Sequence, residues 1–229
     1  MKTKGYKVEL QLNNKQRTML AQHAGAARYA YNWGLSKRID LYEKEKKSTN
    51  AIEQHRELNK EKKSTLAWMY SVSKCAPQEA LRNLDRAFKN FFRNIKQGKK
   101  AGFPKFKSKK NGIGSFRLTG AIHVESNRIK LPRIGWIKLK EEDRLPIETP
   151  SQVTVSEKSG HWFVSFNIEE EVQEQKLSDK VIGIDLGINH LATLSDGTKY
   201  ENPKSLKNKL KKLKSYRESN PVFQIQSLM

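Results

Sequence analysis

Two stretches carry residues whose types and spacing could do chemistry. The first is Val181 to Gly197, VIGIDLGINHLATLSDG. Val181-Ile182-Gly183-Ile184 has the length and apolarity of a buried strand, and Asp185 interrupts it near its end. A carboxylate there costs free energy unless a positive charge answers it. A divalent cation such as Mg²⁺ fits, because hard cations take carboxylate oxygens. Leu191-Ala192-Thr193-Leu194 is a second apolar stretch and leads to Asp196-Gly197, a hairpin-turn signal.

The second stretch is Gln97 to Lys110, QGKKAGFPKFKSKK, a loop by its Gly and Pro. It interleaves Phe103 and Phe106 with Lys99, Lys100, Lys105, Lys107, Lys109 and Lys110. Aromatics among cations suit single-stranded or folded RNA, where bases stack and phosphates need neutralising. The plainer alternative is that the Phe rings anchor the loop while the lysines stay wet.

The elements that must position these stretches follow from periodicity. Tyr6, Val8, Leu10 and Leu12 alternate at strand period. Asn13 with Gln16 has the spacing of a capping box. Leu20, Ala24, Ala27, Tyr31, Leu35, Ile39 and Tyr42 then recur at steps of three and four. That predicts one unbroken amphipathic helix of about seven turns. Ala51 to Lys63 reads as a second helix, and Leu66 to Tyr70 as a short apolar patch docked on the bundle. Pro77 fits the first turn of a third helix with Leu81, Leu84, Phe88, Phe91 and Ile95 on its apolar face.

Strand period returns at Ser115. Six short runs follow, at 116–118, 122–124, 128–131, 136–139, 153–155 and 162–166, with turn signals at Ser126-Asn127, Ile134-Gly135 and Ser159-Gly160. With Tyr6–Leu12 they suggest an antiparallel barrel into which the helices are inserted. Glu169 to Lys180 is polar and reads as a linker. Asn202 can cap a helix begun by Pro203, with Leu206, Leu210 and Leu213 as its stripe and Lys207 and Lys211 among its cations.

The 229 residues carry 45 Lys+Arg against 24 Asp+Glu, a net charge of +21. That excess points to phosphate backbones as partners. No run approaches a membrane-spanning helix, and no apolar segment follows Met1-Lys2, so a cytoplasmic location is expected. The single cysteine, Cys75, excludes an intrachain disulfide and a cysteine-rich zinc site. The five histidines show no ligand spacing.

Three motifs resemble one family. Gly183 to Gly197, GIDLGINHLATLSDG, looks like the first RuvC motif of the transposon-encoded TnpB (OrfB) proteins. Arg28-Tyr29-Ala30-Tyr31-Asn32-Trp33 resembles the R-x-x-x-N-W element of their N-terminal region, often catalogued as a transposase helix-turn-helix. Gly102 to Lys110, G-x-P-x-F-K-S-K-K, is similar to a further signature. Strand-Asp-Gly motifs also open the phosphate loop of actin-like ATPases, but only 44 residues follow Asp185, too few for that fold.

The resemblance implies an insertion-sequence protein related to RNA-guided DNA nucleases and small type V CRISPR effectors. It implies an α+β architecture: a wedge-type barrel (1–13 and 111–168), an inserted helical recognition domain with its basic loop (14–110), a linker (169–180), the first strands and helix of an RNase H-like RuvC domain (181–218) and an atypical tail (219–229). Guide RNA and target DNA are the implied partners, with Arg28, the loop residues named above, Lys207 and Lys211 as contacts. Asp185 is the implied first carboxylate of a Mg²⁺ site. The other two RuvC carboxylates and the zinc ribbon have no counterparts in this sequence. The expectation is therefore a truncated chain that binds nucleic acid without cutting it. The alternatives are an endonuclease completed by a downstream-encoded chain and a decayed gene product.

Overall fold

The computed structural model describes residues 2–141, 149–170 and 181–219. The chain divides into two units, Met1–Val172 and Gln173–Met229.

The first unit mixes helices with a large antiparallel sheet. Strand β1 (Lys2–Gln11) is followed by α1 (Asn14–Glu45), α2 (Ala51–Glu61), a 3₁₀ turn (Ala67–Ser71) and α3 (Cys75–Lys96). Then come β2 (Ser115–Thr119), β3 (His123–Val124), β4 (Arg128–Leu131), β5 (Gly135–Leu139), β6 (Gln152–Lys158) and β7 (His161–Glu170). These are the seven strands the alternation predicts, in the spatial order β2-β6-β7-β1-β5-β4-β3. Strand β1 joins the two halves: Lys2 to Glu9 pair with β7, then Leu10 and Gln11 pair with β5. Among the described residues no ladder joins β2 to β3, so the pairing stops short of a closed barrel.

Every second side chain along these strands enters the core, as strand geometry requires. Val8 and Leu10, Phe116 and Leu118, Ile129 and Leu131, and Val153 and Val155 are all buried. The β6–β7 turn is formed by Ser159 (φ 54°) and Gly160 (φ 82°). Both central residues are left-handed, as a two-residue hairpin loop demands.

Helix α1 starts where the sequence indicates. The Asn13 side chain accepts from the Gln16 N–H at 2.8 Å, and the Gln16 side chain accepts from the Asn13 N–H at 3.1 Å. The helix then runs unbroken for 32 residues. Leu20, Ala24, Ala27, Tyr31 and Leu35 are buried as expected, while Tyr42 is exposed. Likewise Leu81 and Leu84 of α3 are fully buried but Ile95 is exposed.

Gly34 lets α1 and α3 approach closely. A Cβ there would lie 2.6 Å from Leu81 Cδ2. The Gly34 carbonyl accepts from Gln54 Nε2 of α2 at 2.6 Å. Gln54 Oε1 accepts from Arg38 Nε at 3.1 Å. Arg38 pairs with Asp85, whose other oxygen accepts from the Ala51 N–H at 2.9 Å. One polar chain thus ties three helices together at the start of α2, where an anion is favoured. His23, fully buried, joins α1 to the segment before α3. Its Nε2 accepts from the Ser73 N–H at 2.9 Å, so Nδ1 carries the proton and donates to the Met19 carbonyl at 2.7 Å.

The second unit has β8 (Ile184–Asp185), β9 (His190–Leu194), β10 (Lys199–Glu201) and α4 (Ser205–Glu218), with sheet order β10-β9-β8. Here the structure corrects the sequence reading. The run from Val181 is not a buried strand: only Ile184 and Asp185 pair, β8 is an edge strand, and Val181 is 94% exposed. Among the described residues no apolar layer covers that edge, so apolarity alone does not bury it. Helix α4 begins at Ser205, not at Pro203. Lys204 stands in the left-handed region (φ 46°), which interrupts helical geometry after Pro203. The Asn202 side chain instead accepts from the Lys204 N–H and donates to the Ile188 carbonyl. The Asp196-Gly197 turn is present as a three-residue loop, with Gly197 at φ 87° and the Leu194 N–H donating to the Thr198 carbonyl at 2.8 Å.

The expected linker falls mostly on 171–180 and the expected tail on 220–229, both outside the described residues. Among the described residues no helix is long and apolar enough to cross a membrane.

Candidate nucleic-acid interface

The basic loop after α3 is fastened to α1 by two polar side chains one turn apart. Asn32 Nδ2 donates to the Lys107 carbonyl at 2.9 Å, and the Lys107 N–H donates back to Asn32 Oδ1 at 2.8 Å. Arg28 Nη1 donates to the Ile113 carbonyl at 3.1 Å. Residues at i and i+4 share a helix face, so the R-x-x-x-N spacing places both groups along one line of loop backbone. Arg28, expected as a contact to nucleic acid, therefore spends at least one N–H on the loop itself.

The aromatic residues of the loop divide. Phe103 packs edge-on against Phe88 and Phe91 of α3, with centroids 5.5 and 5.4 Å away. It anchors the loop, as the plainer reading has it. Phe106 is 57% exposed and lies in a shallow groove with Lys107, Ser108 and Arg28. The ammonium of Lys107 turns inward over the Tyr31 ring, 4.3 Å from its centroid. Partial burial of that end lowers its pKa, although the residue as a whole is exposed. Burial likewise raises the pKa of the Tyr31 hydroxyl. Lys99, Lys100, Lys105, Lys109 and Lys110 are exposed, and none forms an ion pair among the described residues.

The structure thus brings Arg28 together with Phe106, Lys107 and Ser108 of the loop in one surface. It does not bring Lys207, Lys211 or Asp185 into that surface's own unit. Both lysines are exposed on α4. Asp185 is exposed on the edge strand β8, opposite Thr193. Among the described residues no three His, Cys, Asp or Glu side chains converge as metal ligands. The residues described do not fit a Mg²⁺ site.

Sequence reasoning missed a groove of about 740 Å³, which runs along α1 past Gly25, Arg28, Tyr29, Asn32 and Trp33 to Trp68. Tyr29 and Trp68 meet edge-on at 5.6 Å. The signal was present in Trp68 and Tyr70. Of the 66–70 patch only Leu66 and Met69 are buried; Trp68 and Tyr70 face outward.

A family model described as "Helix-turn-helix domain", from OrfB of IS605, matches residues 1–47, and one described as "Probable transposase", from the same source, matches residues 163–220. The chain belongs to the TnpB/OrfB family. Residues 1–47 of this member are occupied by β1 and the single helix α1. The protein named "Putative RNA-guided DNA endonuclease InsQ" of Escherichia coli (strain K12) is 32% identical over 212 residues, covering 91% of this chain and 51% of the relative. A "Putative RNA-guided DNA endonuclease" of Streptomyces pristinaespiralis is 30% identical over 210 residues, 88% of this chain and 50% of the relative. This TnpB/OrfB member spans about half the length of the curated relatives it matches. Among solved structures, the "Cryo-EM structure of the Cas12f1-sgRNA-target DNA complex" contains a chain matched at 15% identity, with a TM-score of 0.39 over 99% of this chain and 65% of that one.

Proposed function

We propose that this TnpB/OrfB-family chain holds guide RNA and target DNA through the face where the lysine loop is fastened to α1. The observation that carries the reading is the Asn32–Lys107 exchange of hydrogen bonds. It fixes a cationic loop on a rigid helix, so that charges meet phosphates without first being ordered. The relatives named as RNA-guided DNA endonucleases support the same partners. The wedge-type barrel is the proposed role of the seven-stranded sheet.

The test is binding of a structured RNA across a salt series. Replacing Lys99, Lys100, Lys105, Lys109 and Lys110 by Gln leaves Lys107 and its packing intact. Each phosphate that no longer meets a lysine flattens the slope of log K against log salt by about 0.7 to 0.9. An unchanged slope would mean the loop is a solvated surface and nothing more.

A second reading is that DNA cleavage arises only when another chain completes the second unit. It is favoured by the exposed apolar side chains there, Val181, Leu186, Leu206 and Leu210 among them. Mixing the chain with the product of a downstream reading frame and assaying target DNA in Mg²⁺ tests it.

A further inference from the structure

Helix α1 contains two glycines inside its buried half, and only one of them is explained by packing. Gly34 is required by Leu81, as described above. A Cβ on Gly25, in contrast, would meet nothing within 4 Å. Glycine in a helix interior costs about 1 kcal/mol relative to alanine, and here no neighbour demands it. Gly25 does line the large groove. What its missing side chain provides there is depth.

Tyr29, Trp33 and Trp68 give the groove aromatic walls, with the polar side chains of Gln22, Ser36 and Ser71 among them. Tyr29 is 39% and Trp68 46% exposed although they touch each other. Trp33 is held in place, its Nε1 donating to Glu61 Oε2 at 3.1 Å. The groove also shares Arg28 and Asn32 with the lysine loop, since these same residues line it and fasten Lys107 and Ile113. An apolar slot thus opens beside a run of exposed cations. A chain that is anionic along its backbone and carries flat rings at intervals complements both features.

We infer that this groove is a stacking site for an unpaired nucleobase, belonging to a strand whose phosphates lie along the lysine loop. The inference rests on the nucleic-acid reading above and assigns it a site. The base enters between Trp68 and the α1 face over Gly25. Its backbone passes Arg28 toward Lys105, Lys109 and Lys110.

The probes are a short adenylate RNA, its DNA counterpart and a blunt RNA duplex of equal length, titrated at low salt. Both single strands are expected to quench tryptophan fluorescence. Trp68→Ala and Gly25→Leu should each weaken single-strand binding about tenfold, within the range for one base stacked on an aromatic ring. Duplex affinity should stay unchanged, and Trp68→Phe should restore most of the single-strand affinity. Equal weakening for RNA and DNA identifies the base as the group bound; weakening confined to RNA assigns the occupant to RNA. Unchanged single-strand affinity in both variants, or equal weakening on the duplex, overturns the site while leaving the loop reading intact. Failure of the unaltered chain to bind any of the three probes overturns both.

Discussion

Asn32 and Lys107 satisfy each other's polar groups in both directions, at 2.9 and 2.8 Å, as two paired strand residues would. A side-chain amide carries a donor and an acceptor, so one Asn can hold a loop residue by its backbone without regard to its side chain. Asn32→Ala removes both bonds at a cost of about 1–3 kcal/mol to loop attachment. The expected result is faster amide exchange over 103–114 with α1 unchanged. RNA affinity should fall while the salt slope keeps its value, because every charge remains. Unaltered exchange over the loop would show that Phe103 and Arg28 suffice to hold it.

The buried imidazole of His23 predicts a stability change in mild acid. Burial lowers its pKa below the usual 6.5, partly offset by the Met19 carbonyl. Protonating Nε2 would turn a donor against the Ser73 N–H. The unfolded chain therefore takes up the proton first as pH falls. Stability from this group is complete above pH 6.5 and declines as pH drops from there toward the folded pKa, by at most about 1.4 kcal/mol per pH unit. His55, lowered by burial and then by Lys62, Arg82 and Lys74, adds to the decline in the same direction. Urea unfolding at stepped pH should show a shallower decline in His23→Gln than in the unaltered chain. Parallel curves would remove His23 from the account.

The two α1 glycines should respond oppositely to alanine. Gly34→Ala drives a Cβ into Leu81, and overpacking of this kind costs about 1–3 kcal/mol, which outweighs the helix-propensity gain of about 1 kcal/mol. Gly25→Ala meets open space and keeps that gain. Melting temperatures should rank Gly25→Ala above the unaltered chain and Gly34→Ala below it. The reverse order would contradict the packing described for this helix pair.

Much of the first unit was legible because each of its signals is local and the fold agrees with it. The Asn13 capping box, the Leu20-to-Leu35 stripe and the strand alternation each need only a few neighbouring residues to be read. The Arg28–Asn32 spacing was legible as a motif but not as a fastening, since its partners lie 75 and 85 residues away. The groove was missed for a related reason: Trp68 reads as core by type, and only the packing of Met69 beside it shows which ring turns outward. In the second unit, apolarity and burial part company. Burial is a property of what covers a strand, and the residues around Ile184 lie open among those described.

Asp185 gives the last expectation. Its carboxylate is exposed on an edge strand and belongs to no three-ligand group among the described residues. A lone carboxylate leaves Mg²⁺ with mostly water ligands, and the ion dehydrates reluctantly. Ligand binding stabilises a fold only in proportion to its occupancy of the folded state. Millimolar Mg²⁺ should therefore raise the melting temperature of the purified chain and of Asp185→Ala equally, through general screening alone. Nucleic-acid affinity should also be the same in both, since the proposed contacts lie in the other unit. The purified chain should leave a guide-matched target plasmid uncut in Mg²⁺ or Mn²⁺. A melting shift or cleavage that disappears in Asp185→Ala would show that further ligands reach this carboxylate, from a second copy or another chain.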